Sequence, residues 1–454
     1  MVISMGHLCC LLGLWPLQTT TAQSIWEGLN MPGNPTPGHY VFGDTTNGTV
    51  YYCGFGSVGV PGSPGTIFSW KNGDWDTLGT TDGPYPRSMI RYHDTLIVAG
   101  DFYHVDTVTA RIAAYDGAHW LPYGSSDNRP VRLRIIDDTL YVVGWFTQID
   151  GVPIQAAAKR VGNGWVAVGT STYAEFSMYD IARYGNELIG VGSSYPGLPD
   201  RFYHLVNGAW QVLLPGIVGT FSGGVVMSEY HGDLYIGGSI MINEGNAGQG
   251  IMRWDGSAFH PVGMGLQALP GNNSSYCGAL NLIVHNDLLY VVNGCDYAGG
   301  LYAPGLATWD GAHWCAAKGI FNANSIDRLN DLDFLNDTAY AACGAMVDGV
   351  NVHYAARAPV SALIDTCAGA VGIASTSGTA PFGLFNSATG EWSFTGLHAG
   401  SYRTILYDAI GRTVRTATVQ STGPEDRIPF ETTGLASGQY VLGLGDRHLQ
   451  LIIP

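Results

Sequence analysis

A run of six residues recurs seven times along this chain, and that periodicity constrains the fold more than any other feature. The copies are TVYYCG (49–54), TLIVAG (95–100), TLYVVG (139–144), ELIGVG (187–192), DLYIGG (233–238), LLYVVN (288–293) and TAYAAC (338–343). Most are rich in β-branched and aromatic residues, as short buried strands are. A polar pair precedes most of them, as in His93-Asp94, Asp137-Asp138, Gly185-Asn186 and His231-Gly232. Another apolar run precedes that pair. The unit is a hairpin of strand, tight polar turn and strand.

A second series follows each copy by about twenty residues. It comprises KNGDWDTLG (71–79), YDGAHWLPYG (115–124), VGNGWVAVG (161–169), LVNGAWQVL (205–213), WDGSAFHPVG (254–263) and WDGAHWCAAKG (309–319). Each holds Asn-Gly or Asp-Gly, the favoured two-residue hairpin turn, expected to need positive φ at both central residues. The aromatic column reads Trp75, Trp120, Trp165, Trp210, Phe259 and Trp314, and its first three spacings are each 45 residues. Four short strands in about 45–50 residues is the period of a propeller blade.

Seven inner hairpins against six aromatic turns leave one slot empty. SIWEGLN (24–30) carries Trp26, which lies 49 residues before Trp75 and can fill it. The reading is an all-β chain: a seven-bladed β-propeller over 23–363, with the N-terminal strand around Trp26 closing the last blade. Such closure protects sheet edges that an open ring would expose. A row of separate β-sandwiches would not require so constant a period. The repeat also accounts for His119 and His313. Their column holds Asp74 in the first unit and Ala209 in the fourth, which is a solvated turn and not a catalytic position.

The propeller pattern resembles kelch-like repeats of secreted bacterial proteins, of the form L-Y-V-G-G-x-F followed by I-A-x-W-D-G-x-x-W. The best matches are Leu140 to Phe146 with Trp165, and Leu96 to Phe102 with Ile112 to Trp120. The resemblance implies a fold and no activity, since propellers host many unrelated functions.

Composition narrows the function classes. A net charge of −16, with lysine only at Lys71, Lys159 and Lys318, argues against nucleic acid, because few cations are present to neutralise phosphates. Residues 1–22 have an apolar centre followed by Thr20 and Ala22, so they read as a secretory signal peptide cleaved between Ala22 and Gln23. Cys9 and Cys10 invite a lipoprotein reading, which GHLC serves poorly because a small residue usually precedes the cysteine. No later apolar run is long enough to predict a transmembrane segment. Six cysteines remain after cleavage, and export permits disulfides. The favoured pair is Cys277–Cys295, which flank a strand–turn–strand unit.

Beyond Cys367 the texture changes. Residues 364–380 read as a linker rich in small residues, and 381–454 as a small Ig-like β-sandwich. This tail resembles the type A C-terminal sorting domain of the type IX secretion system. LYDAIGRTV (406–414) matches D-x-x-G-R through Asp408, Gly411 and Arg412; LASGQYVL (435–442) matches L-x-x-G-x-Y through Leu435, Gly438 and Tyr440. APFGLFNSATG (380–390) replaces the usual proline-asparagine start, and HLQLIIP lacks the usual basic ending. The resemblance implies the type IX secretion machinery as partner. It also implies passage through the periplasm to the surface or medium of a Gram-negative bacterium. A generic Ig-like binding module is the other reading of the tail.

No nucleophile elbow, H-E-x-x-H, P-loop or EF-hand motif occurs, so no catalytic, metal or cofactor residue is assigned. The weak ligand-binding candidates are acids in the loop after the second strand of several units: Asp106, Asp150, Glu244 and Asp348. Sharing one face, they would ring a cation or sugar hydroxyls; otherwise Asp-Gly is simply the turn this hairpin uses. Trp145, Phe146, Phe102 and Tyr297 begin the same loops, where exposed aromatics would stack on a ligand and buried ones would pack between blades. Three roles follow. The first is a non-catalytic binder of a glycan or protein ligand. The second is a secreted glycan hydrolase or lyase with acids at the central mouth, and the third a structural surface-layer component.

Overall fold

The computed structural model describes residues 24–32, 38–54, 64–83, 85–173, 176–193, 201–214, 226–238, 249–268, 277–319, 321 and 328–367 of the repeat region. In the tail it describes 382–386, 391–395, 399–408, 413–423, 428–430, 434–435, 438–444 and 447–453. The proposed signal segment with Ala22 and Gln23, the candidate acid Glu244, and Gly411 and Arg412 lie outside the described residues.

The chain is almost entirely β-structure, with one short helix, Val360–Leu363, among the described residues. Each repeat builds an antiparallel sheet of four strands, in several repeats with a small two-stranded hairpin between the second and the third. The second sheet, for example, runs Tyr85–Tyr92, Thr95–Asp101, Ile112–Tyr115 and Trp120–Gly124. Seven such sheets are present among the described residues, and the seventh takes its outermost strand from a segment far away in sequence. Glu27–Gly28 pairs antiparallel with Ala355–Pro359, Glu27 opposite Arg357. The strands that open the sheets are Gly38–Asp44, Tyr85–Tyr92, Pro130–Ile136, Ser177–Tyr184, Val226–Tyr230, Ala279–His285 and Leu329–Leu335. Each touches the next, and the last touches the first. That closed cycle is a β-propeller.

The core is divided into slabs between neighbouring sheets. Ile97, Ala99 and Ala114 of the second sheet pack on Leu133, Val142 and Trp165 of the third. Val41, Val50 and Phe68 of the first pack on Tyr340, Ala342 and Ala355 of the seventh. Because both faces of each sheet are covered, the second strands show no alternation. All of Thr49–Gly54 is buried, and so is TLYVVG beyond its first residue. Burial of both faces selects a continuous apolar run over a period of two.

The tryptophan column joins the slabs. The indole Nε1 of Trp75, Trp120, Trp165, Trp210 and Trp314 donates to the carbonyls of Leu29, Leu78, Tyr123, Val168 and Val262, at 2.6–2.9 Å. Each acceptor lies in or just after the outermost strand of the preceding sheet. Trp26 donates to Lys318 O at 2.8 Å and serves the seventh sheet in the same way. Phe259 has no N–H to give, and its ring instead packs edge-on against Phe202 of the fourth sheet. The repeated Gly ending the outer strand has a steric cause. A Cβ on Gly124 would lie 2.6 Å from Trp165 Nε1, and one on Gly319 would lie 2.3 Å from Trp26 Nε1.

The outer turns divide into three kinds, a departure from the uniform turn expected: in the third sheet the turn is Gly162-Asn163 with positive φ at Gly162, and Gly164 already opens the next strand opposite Val161. Asn72-Gly73 and Asn207-Gly208 take positive φ at both residues. In Asp116-Gly117, Asp255-Gly256 and Asp310-Gly311 only the glycine does. There the Asp carboxylate accepts from the two N–H groups ahead, as Asp116 does from Ala118 and His119. The aspartates work as side-chain turn caps, and His119 and His313 stand exposed beside them.

Cys277 and Cys295 are disulfide-bonded. A second bond joins Cys315 to Cys367, because Ile364–Cys367 adds a fifth strand to the sixth sheet, Cys315 opposite Cys367. The segment read as a linker from 364 therefore opens as part of that sheet. Among the described residues no helix is long and apolar enough to cross a membrane.

The tail forms two antiparallel sheets. One is Phe382–Asn386, Glu391–Thr395 and Ile428–Phe430; the other is ordered Thr413–Ser421, Gly400–Asp408, Gly438–Leu444, Arg447–Ile453. Leu406, Tyr440 and Leu442 are buried.

Candidate functional site

The candidate acids Asp106, Asp150 and Asp348 sit at the tips of small two-stranded hairpins, each in the left-handed region with φ 49°, 54° and 52°. Asp tolerates that backbone through short-range hydrogen bonding. Their carboxylates are occupied by this chain's own donors. Asp106 Oδ1 accepts from Thr80 N (2.8 Å) and Thr80 Oγ1 (3.1 Å). Asp150 Oδ1 accepts from Ser125 N (2.8 Å), and Asp348 Oδ2 from Ser24 Oγ (2.7 Å). The first two bind a hairpin to the preceding sheet's outer edge, and the third holds the lead-in to the closing strand. These three acids are clasps on separate hairpins. Among the described residues no three His, Cys, Asp or Glu side chains gather as a cation site.

The loop aromatics divide similarly. Phe102 and Phe146 are buried between sheets. Trp145 is half-buried with the Arg129 guanidinium 4.0 Å over its ring, and Tyr297 is half-buried against Tyr302.

The dense polar chemistry lies at the centre, where no motif pointed. Among the described residues six opening strands carry a bulge, and the residue after it is Tyr40, Ser88, Arg132, Asp180, Asn281 or Asp331. A bulge leaves ladder groups unpaired, and a buried N–H must find another acceptor. The neighbouring sheet supplies it. Ser88 Oγ accepts from Leu133 N (3.1 Å), Asp180 Oδ2 from Met227 N (2.8 Å) and Asp331 Oδ2 from Val41 N (3.0 Å). At the last-to-first seam Asp333 adds a second rung by accepting from Gly43 N at 2.8 Å. Asn281 Nδ2 donates to Asp331 Oδ1 at 2.6 Å.

Electrostatics separates these carboxylates. Burial opposes the charge of Asp180, but Arg134 and Arg132 outweigh it and hold its pKa below the ordinary value. Arg134 reaches Asp180 through Nε (2.8 Å) and Nη2 (2.6 Å). Asp331 has no such cation: burial, with Asp333 adding to it, pushes it up to about 7. Asp333 is pushed up to about 6, again by burial. Tyr40 rises to about 12 through burial and then the charge of Asp331. The set can cross-link inner strands and hold protons near neutrality.

In the tail, strand pairing sets Asp408 opposite Tyr440, so Gly400–Asp408 and Gly438–Leu444 meet in one sheet. Gly438 opens the second of these strands, and Leu435 is half-buried before it.

No family model matches the chain, and no curated protein matches it. Among solved structures, the chain is similar to the β-propeller domain of the Trilobed protease from Pyrococcus furiosus, at 11% identity and TM-score 0.32, covering 62% of this chain and 95% of that one. It is also similar to an exo-β-1,3-galactanase from Phanerochaete chrysosporium solved with galactose (10% identity, TM-score 0.31, covering 95% and 97%). A Bacteroides ovatus xyloglucan-locus GH43B protein matches at 12% identity and TM-score 0.28, covering 95% and 90%. At such values nothing about activity or ligand passes from those proteins to this chain.

Proposed function

We propose that this is an exported binding protein: a seven-bladed, kelch-like propeller that engages a glycan or protein ligand, followed by a type IX sorting module that delivers it to the cell surface or medium. The observation that favours binding over carboxylate catalysis is the engagement of these acids within the chain. Asp106, Asp150 and Asp348 hold backbone or hydroxyl donors of their own chain, and Asp180 is saturated by Arg134 and Met227 N. Carboxylates committed in this way brace a scaffold. The export role is supported by the pairing of Asp408 with Tyr440 and by the disulfides, which suit an oxidising compartment.

Mass spectrometry of both termini, on protein recovered from medium and cell surface, tests the export reading. A chain beginning at Gln23 and lacking the module beyond about residue 380 is the expected product. An intact Pro454 on protein retained inside the envelope contradicts it.

The glycan-active enzyme reading has one observation in its favour. Asp331 is held up and Asp180 held down in pKa at the same centre, the separation that acid/base pairs use. Release of reducing ends from polysaccharide, abolished by Asp331→Asn in a folded protein, would establish it.

A further inference from the structure

On the face carrying the tight turns, at the seam between the seventh and first sheets, lies an open groove of about 360 Å³. Its lining includes Trp70, Lys71, Leu335, Tyr340 and Arg357. The size falls in the range of small-molecule sites. Its charge runs against the rest of the molecule: a chain with net charge −16 and three lysines directs Lys71 and Arg357 at one cleft.

The two cations differ. Arg357 Nε donates to Glu27 Oε2 at 2.8 Å, which compensates its charge and fixes the guanidinium. Lys71 is exposed and makes no ion pair among the described residues; Asp74 stands opposite it in the strand register without closing one. The groove therefore offers an ammonium that closes no ion pair beside a half-buried indole, Trp70, whose ring is braced by Trp75 with centroids 5.1 Å apart. An aromatic face next to a cation takes a ring bearing an acid group.

We infer that this groove binds a single acidic sugar unit, with Trp70 under the pyranose face and Lys71 and Arg357 at its carboxylate. The inference rests on the binding role proposed above and names its ligand class. A single unpaired ammonium, in an acidic molecule, favours one uronate over a dense polyanion, which the surrounding field repels.

The test is calorimetric titration of the full chain with the methyl glycoside of galacturonate and with the neutral methyl galactoside. The acidic sugar should bind at least tenfold tighter, Lys71→Ala should weaken it about tenfold, and Lys71→Arg should retain it. Lys71 is exposed, so its variants keep the fold, and Trp70→Ala should abolish the tryptophan fluorescence change. Equal binding of both sugars, or acid binding unmoved by Lys71→Ala and Trp70→Ala, overturns the groove assignment and leaves the binding role standing. Absence of binding to either sugar overturns the assignment too; ligand capture on a wider glycan and protein panel then decides the binding role separately.

Discussion

The indole Nε1 of Trp26 donates to the carbonyl of Lys318 at 2.8 Å, across 292 residues of chain. This bond gives the seventh sheet the same clasp that five other tryptophans give theirs. It explains why Trp26 continues a column that otherwise ends at Trp314.

Replacing Trp26 by Phe keeps the ring packed on Phe321 and removes only the donor. The expected loss is about 1 kcal/mol, the net value of such a bond, increased by the acceptor left behind. Trp26→Ala should cost about 3–5 kcal/mol through the cavity. Urea unfolding of the two variants separates the terms.

Gly124→Ala should destabilise by about 1–3 kcal/mol through overpacking, because its Cβ falls 2.6 Å from Trp165 Nε1. Combined with Trp165→Phe the cost should shrink, and a double-mutant cycle measures that coupling. Simple additivity would contradict the steric account of the terminal glycines.

The centre predicts a pH dependence of definite sign. Asp331 and Asp333 have folded pKa values raised to about 7 and about 6. Their contribution to stability is therefore full below the ordinary carboxylate value near 3.8 and is lost as pH rises through about 6 and 7. Asp180 is shifted the other way, so its contribution is present above the ordinary value and lost as pH falls through its lowered one. The urea midpoint should drop between pH 5 and pH 8. The double variant Asp331→Asn/Asp333→Asn should flatten that drop, whatever its absolute stability.

Breaking the Asp180 cluster is a separate matter. Arg134→Ala leaves a fully buried carboxylate with its main cation gone and should cost about 3–5 kcal/mol. Exchanging both residues for apolar ones of similar volume should cost less, and thermal unfolding of the pair compares the two.

Reduction tests the outer ties. The disulfides close loops of 18 and 52 residues, worth about 3 and about 4 kcal/mol by loop-closure entropy. Removing Cys367 should release Ile364–Cys367 from the sixth sheet, visible as faster amide exchange there.

Much of the scaffold was legible in the letters because each feature has a local cause. Asn-Gly and Asp-Gly mark most of the outer turns, and the tryptophan column repeats because one donor meets one carbonyl at every seam but that of Phe259. The central set was not legible. Tyr40, Ser88, Arg132, Asp180, Asn281 and Asp331 share no chemistry; they share a place after a bulge, which depends on strand register. Cys315–Cys367 was hidden for a similar reason, since Ile364–Cys367 has no repeat partner to announce it as a strand. The acids Asp106, Asp150 and Asp348 were visible as a pattern. That pattern has a local cause in backbone φ and in clasps to neighbouring segments.

The closed ring is the claim on which the rest depends, and amide hydrogen exchange at its closure tests it most directly. Leu29 N donates to Ala355 O at 2.8 Å, and Glu27–Gly28 pairs with Ala356 and Arg357. The ring account predicts protection at Leu29 and Arg357 comparable to that of Val98 or Val142 in the sheet interiors. Exchange at Leu29 at the rate of an unstructured peptide, with Val98 and Val142 still protected, would contradict closure by the N-terminal strand.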